Sequence, residues 1–474
     1  MRAVRRRPTT AITGKGSGGR RTTMRAAGAV AVASVLALTT ACGGDNGDGG
    51  EDGGDNGAGA ESSVELPDLN GESLEIAAVW TGAEQANFMA AVAEFESRTG
   101  AEVNFVPSGD NVATFVGQKI AGGAAPDIVV LPQVGVLHEF ADQGWIVPVD
   151  DTVMEQLDAN YAAGWRDLGA HEGEQYGVYV KAANKSLIWY NTTAFENAGV
   201  SEPGTWEEFI EVAQTISDSG TPPVSVAGSD GWTLTDWFEN IYLSQAGPEM
   251  YDQLAAHEIP WTDESVTEAL TTLAELFGSE QLLAGGADGA LRTDFPTSVT
   301  QTFADLESPA AGMVYEGDFV ASVIADGTDA VVGEDAQVFP FPAVDGDPPV
   351  VSGGDVAVAL APDGEASEAQ MALMAWFAST DAARIWAEGG GFLSPNRELD
   401  TSAYPDDVQR DIAEALIAAG DDFRFDLSDQ APAAFGGTTG QGMWQALQDF
   451  LRDPEDISGV QEYLESEAAR AYGG

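Results

Sequence analysis

The sequence predicts an α/β protein built as two lobes, on three observations. Between residues 74 and 133, short apolar runs alternate with amphipathic helical stretches. The chain has 474 residues, 44% of them hydrophobic, which is enough material for two cores. Cys42 is its single cysteine, so no disulfide within the chain can staple a small fold and stability must come from burial.

The first 41 residues read as an export signal. Eight of the 20 basic residues lie there and none of the 77 acidic ones does. They flank "AAGAVAVASVLALTTAC", an apolar run too short to span a bilayer comfortably and ending in small residues. "LTTAC" resembles the bacterial lipobox, with Thr39 where leucine is usual, and implies that Cys42 is lipidated and becomes the new N-terminus. "RRTTM" leaves the export route open between two pathways. After cleavage, 12 Lys and Arg face 77 acidic residues, a formal charge of -65. Such a surface repels phosphate backbones and excludes nucleic acid as a partner. Residues 42–65 are glycine and acid with almost nothing to bury, hence a solvated tether.

From Leu66 the elements follow in order. "LEIAAVW" (74–80) is a buried strand, "EQANFMAAVAEFESRTG" (84–100) a helix closed by glycine, and "AEVNFVPS" (101–108) a strand. "VATFVGQKIAGG" (112–123) is a second helix and "PDIVVLPQ" (126–133) a third strand. This succession predicts an open, mostly parallel sheet. Ligands in such sheets bind beyond the carboxyl ends of the strands, which nominates Trp80, Glu84, Ser108, Asp110 and Gln133.

Five segments in this order resemble the extracellular solute-binding proteins of family 1, the sugar-binding components of ABC importers. They are "FESRTG", "PDIVVLPQVGVLHEFADQGWIVPVDD", "YGVYVKAANKSLIWYNTTAFENAGVSEPGTWEEF", "AAGMVYEGDFV" and "GGFLSPNRELD". "TDWFENIYLSQAGPEMYDQLAAHEIPW" and "FRFDLSDQAPAAF" are similar to the alpha-glucoside-binding branch. The resemblance covers residues 73 to 470. It implies a two-lobe periplasmic-binding-protein-like (type II) fold with a hinged cleft, a carbohydrate ligand, and ABC permease subunits as partners. The tether and the acidic surface predict a monomer, the lipidated cysteine ahead of the tether places it at the outer face of the membrane, and no cofactor is expected. The lobes the resemblance implies are residues 66–182 for lobe I and 183–336 for lobe II. Residues 337–385 return to lobe I, and 386–474 are C-terminal helices mainly on lobe II.

Within that frame, "YGVYVKAANKSLIWYN" is the first crossing between lobes. Lys181 and Lys185 lie on it and, with Lys119, are the only lysines beyond residue 42. Either they donate to sugar hydroxyls or they form interlobe ion pairs. In "AGSDGWTLTDWFENIYL", Trp232 and Trp237 either stack on sugar faces or fill the core, with Asp236 an acceptor between them. Glu316, Asp318 and Phe319 fall on a turn ahead of a helix. Phe319 takes the place of a stacking aromatic in related binders, and the two acids accept hydroxyl bonds or cap the helix. "VSGGDVAVALA" is the return crossing, with Gly353 and Gly354 allowing close approach and Asp355 facing the site.

Enzyme motifs are absent from the sequence. His138, His171 and His257 have no metal-site spacing, and neither a nucleophile elbow nor a phosphate-binding glycine loop occurs. A carboxylate pair such as Glu84 with Glu316 keeps a secreted glycoside hydrolase as the alternative. The anchor reading has a direct test. Replacing the cysteine (Cys42→Ser) should release the protein from membranes or leave its signal uncleaved in cell fractionation. Membrane-bound, correctly processed variant protein would contradict it.

Overall fold

The computed structural model describes residues 64–362, 364–419 and 423–473, so Cys42 and all but the last two residues of the tether lie outside them. Among the described residues, no helix is long and apolar enough to cross a membrane. The first sheet grows from three parallel strands. Ser73–Ala78 pairs with Glu102–Pro107 along its whole length and, on its other edge, with Ile128–Leu131. Helices Gly82–Thr99 and Val112–Ala121 make the crossovers that parallel neighbours require. Ile128–Leu131 is buried throughout, which explains why "IVVL" shows no polar alternation. In Gly82–Thr99, Phe88, Ala91, Val92 and Phe95 recur at helical spacing on the buried face. Gly100 ends that helix with φ 78°, its amide reaching the Glu96 carbonyl.

Two long strands tie this sheet to the rest. The return strand Val351–Ala359 runs antiparallel between Ile128–Leu131 and the crossing strand Gly177–Asn184, and every residue of both long strands is buried. Only Lys185 and Ser186 separate the crossing strand from Leu187–Asn191, which belongs to a second sheet. That sheet is ordered Ala336–Pro340, Leu187–Asn191, Met313–Tyr315, Val224–Ser225. Helices Trp206–Ser219, Trp232–Ala255 and Glu264–Phe277 bury one of its faces in a separate core. Phe295–Phe303 and Val320–Gly327 add their apolar residues to the first core. Val320–Gly327 also packs on Gly82–Thr99, so the lobes touch directly.

Two expectations about lobe boundaries need correction. Residues 337–350 do not yet return to the first lobe. Ala336–Pro340 is an edge strand of the second sheet, and Phe339 and Phe341 fill the second core. The return begins at Val351, because only there does the chain find strand partners in the first sheet. The C-terminal block is also divided. Trp386, Phe392, Leu393, Tyr404 and Ile412 pack in the first core, whereas Leu427, Phe435, Leu447 and Leu464 pack in the second.

Two aromatic candidates are core residues. Trp80 is 3% exposed, with its ring 4.9 Å from both Phe88 and Trp386. Trp237 is 1% exposed, 4.4 Å from Tyr315 and 5.6 Å from Phe341. It lies on the face of Trp232–Ala255 turned to the second sheet, and no face of its ring is free for a ligand. Trp237→Ala should therefore cost about 3–5 kcal/mol of stability, the usual penalty for truncating a buried aromatic. Denaturant unfolding without added ligand measures it, and a loss below about 1 kcal/mol would put this ring outside the core.

Candidate functional site

The site is organised by the turn where the chain leaves the first sheet. Lys185 is 9% exposed, and its ammonium contacts Asp426 directly, Asp236 at 3.3 Å and Asp429 at 3.5 Å. Gly353 makes room for it, since a Cβ there would stand 2.8 Å from Lys185 Cε. The close approach expected at this glycine is that of a lysine side chain. Asp426 caps the short helix Leu427–Gln430, accepting from the Asp429 amide at 2.9 Å. Three residues beyond Asp236, Glu239 accepts from the amides of Leu427 (2.7 Å) and Ser428 (3.0 Å) and from the Tyr251 hydroxyl (2.8 Å). The fully buried Glu316 completes the cluster, and no hydrogen bond of normal geometry reaches either of its oxygens.

The electrostatics follow from one ammonium among five carboxyl groups. Burial works against the charge on Lys185, but Asp236, Asp426 and Asp429 outweigh it and raise its pKa well above the usual lysine value. Burial drives Asp236, Glu239 and Glu316 well above the carboxylate range, against the pull of Lys185. Burial opposes the charge on Asp426 too, yet direct contact with Lys185 holds its pKa low. Asp236, Glu239 and Asp426 each bring an oxygen within 4.8 Å of the others. Those atoms already serve an ammonium, backbone amides and a tyrosine hydroxyl, a donor set that fits Lys185 better than a metal ion.

Lys181, 4% exposed, is the second cation. It contacts Glu84 directly and lies 3.8 Å from Asp355. Asp318 approaches from the second sheet, with one oxygen accepting from the Asn184 amide at 2.8 Å. Its other oxygen is buried without a partner. Asp318 does not cap the helix after it, which has no side-chain cap. Burial pushes its carboxyl up to about 7 despite Lys181, and that of Asp355 up to about 6.

Above these charges lie three rings. Trp232, Phe295 and Phe319 stand 5.4 to 6.1 Å apart. Trp232 and Phe295 are half-buried, and Phe319 is 9% exposed. Lys181 lies 5.0 Å over Phe319 and Lys185 5.6 Å over Trp232, both in cation–π range. Asp230, in the turn before Trp232, accepts from the Phe295 amide at 2.7 Å and holds that ring in place.

The structure thus gathers Glu84, Lys181, Lys185, Trp232, Asp236, Glu316, Asp318, Phe319 and Asp355 in one region. Gln133 is buried against Gly437, where a Cβ would meet its amide nitrogen at 2.2 Å. Asp110 is exposed. Ser108 donates to the carbonyl of Gly109. Sequence reasoning missed Asp426, Asp429 and Phe295. The first two lie in "FRFDLSDQ", where an aspartate three residues after another marked a helix cap. Phe295 had no signal beyond its proline neighbour.

Residues 80–384, more than half the chain, match the family of bacterial extracellular solute-binding proteins, and the chain belongs to that family. Two similar relatives span nearly its whole length. The osmoprotective compounds-binding protein GgtB of Synechocystis is 33% identical over 82% of this chain and 92% of that one. The alpha-glucosides-binding periplasmic protein AglE of Rhizobium meliloti is 30% identical over 88% and 92%. Among solved structures, the solute receptor AcbH superposes with a TM-score of 0.69 at 21% identity, covering 85% of this chain and 99% of that one. Maltose-bound MalE3 of T. maritima gives 0.68 at 16%, covering 84% and 99%. They establish the two-lobe fold.

The buried acids impose a pH dependence. Asp318 has an ordinary carboxyl pKa of 3.8 when unfolded and one of about 7 in the fold. The native state therefore holds the extra proton, and stability attributable to Asp318 falls as pH rises through that window. Asp318→Asn should leave stability near wild type at about pH 4 and gain on wild type towards pH 8. Unfolding titrations across that range decide it. A difference independent of pH would mean that Asp318 ionises freely.

Proposed function

We propose that this chain is a lipid-anchored, monomeric extracellular binding protein that captures an alpha-glucoside or related oligosaccharide and delivers it to an ABC importer. The observation that carries this reading is the pairing of incompletely covered aromatic rings with a carboxyl oxygen of Asp318 that has no donor. Sugars present flat C–H faces beside hydroxyl donors. Trp232, Phe295 and Phe319 offer ring faces, while Asp318 offers an unpartnered oxygen. The names of GgtB and AglE support a small organic solute of this kind.

Each site residue then has a part. Trp232 and Phe319 form one platform rather than holding opposite ends of a ligand, since their centroids are 6.1 Å apart. Asp318 and Glu84 accept hydroxyl bonds. Lys181 orients Glu84 and Asp355, and Lys185 fixes the floor. Because Glu84 comes from the first lobe and Asp318 and Phe319 from the second, a ligand touching all three favours the closed arrangement. The permease would recognise that arrangement.

The hydrolase alternative loses its best pair. Glu316 is fully buried beside Lys185 and Asp236, and Glu84 is held by Lys181, so neither is free to protonate a glycosidic oxygen.

Thermal-shift screening against mono-, di- and trisaccharides, followed by calorimetry on the best ligand, tests the proposal. Trp232→Ala should weaken binding by roughly tenfold or more while its unfolding transition without sugar stays near wild type, and Phe319→Ala should weaken binding similarly but also lose stability, since its ring is 9% exposed. No binding to any saccharide, or release of reducing sugar on incubation, would overturn it.

A further inference from the structure

A helix of the second lobe ends against the start of a helix in the first. Val320–Gly327 follows directly on the turn that carries Asp318 and Phe319, and Gly82–Thr99 begins two residues before Glu84. The two helices pack on each other beside the cleft. Ser322 and Asp326 are four residues apart, hence on one face of Val320–Gly327, and each meets a glycine of the first lobe. A Cβ on Gly391 would stand 2.5 Å from Ser322 Cβ, and one on Gly82 would stand 2.8 Å from Asp326 Oδ2.

The first-lobe side of this contact is braced as one piece. The Asn87 side chain, on Gly82–Thr99, donates to the carbonyls of Gly389 (3.0 Å) and Gly390 (3.2 Å), and the Gly391 amide donates to Gln409 at 2.5 Å. Gly82 and Gly391 have φ of 60° and 61°, a backbone state that favours glycine and so keeps both positions bare. Ser322 is buried and donates its hydroxyl to the Phe319 carbonyl at 2.8 Å, so what it brings to Gly391 is small size.

Charge accounts for the other contact. Asp326 lies in the last turn of its own helix, where an acid opposes the helix dipole. Gly82–Thr99 starts without a side-chain cap, since Thr81 supplies none. The acid that is poorly placed on one helix is well placed at the uncapped positive end of the other. Because the two helices come from different lobes, that gain exists only while the lobes are together.

We propose that Ser322 and Asp326 form a closure latch, seating on Gly391 and Gly82 as the cleft shuts and setting ligand affinity without touching the ligand. The inference rests on the ligand-driven closure proposed above. Both are positioning residues: they act by bringing Phe319 and Glu84 to their closed separation.

Calorimetry and stopped-flow kinetics on the full-length chain test the latch, with whichever of glucose, trehalose, maltose and maltotriose binds tightest. Asp326→Lys should weaken affinity about threefold or more through faster release, with unfolding in the absence of sugar near wild type. That deficit should shrink as ionic strength rises from about 0.05 M to about 0.5 M, and Asp326→Glu should keep most of the affinity. Ser322→Leu should cost about tenfold in affinity by overfilling the seat, whereas Ser322→Ala, which stays small, should not. Should Ser322→Leu fail to fold, the Asp326 variants decide, since that residue is exposed. Sugar affinity unchanged in Asp326→Lys would overturn the latch while the sugar-binding reading stands. Destabilisation of Asp326→Lys without sugar that matches its loss of binding would make the helix a fixed part of the first lobe and overturn the latch too. Absence of any saccharide binding by wild type would remove both readings together.

Discussion

Lys185 is the constraint on which the rest of the structure depends. Its ammonium sits among acids from the helix Trp232–Ala255 and from the C-terminal turn, beside the glycine of the return strand. A single buried cation thus fixes three pieces of chain at the place where the polypeptide passes between sheets. Ion pairs of this kind add little net stability against an apolar replacement, but losing one partner leaves uncompensated charge and costs several kcal/mol. The arrangement therefore specifies geometry more than it contributes free energy. Burial raises the pKa of Asp236, Glu239, Glu316 and Asp429, which eases the crowding of so many acids around one lysine.

The two lysines divide the labour of the cleft. Lys185 is saturated by protein groups and serves as foundation. Lys181 is held from its own lobe by Glu84 and Asp355 while Asp318 comes from the other lobe, so it stands where relative lobe position is felt. Each also lies over an aromatic ring, which turns ring placement into a consequence of charge placement. Phe319 and Trp232 are thereby held in place by charges that are themselves buried and paired.

Much of the fold was legible because its signals are local. The strands at residues 73–78, 102–107 and 128–131 and the helices between them follow from apolar runs and a closing glycine. The rarity of lysine pointed to Lys181 and Lys185 without any structure. Burial depth was not legible. Trp232 and Trp237 lie five residues apart on one helix, yet one is half open and the other is enclosed by the second sheet. Helical spacing places them on different sides without saying which side is covered. Asp426 and Asp429 were missed because their importance comes from a partner far away in sequence. Gly353 and Gly354 were read as allowing close approach, and what approaches is Lys185 at the first and Trp165 with Tyr179 at the second. Sequence marks that space is needed there, not what fills it.

The partners of Lys185 also fix an order of events. It is separated from Asp426 by 241 residues and from Asp429 by 244. A chain emerging N-terminus first makes both sheets' crossing strand long before the turn that neutralises its lysine. Until that turn arrives, the junction holds an ammonium with too few counter-charges in a place designed to be dry. Contacts of such sequence separation form late and slowly, because loop closure precedes their reward. The junction between the sheets is thus completed only when the C-terminal turn carrying Asp426 and Asp429 has docked.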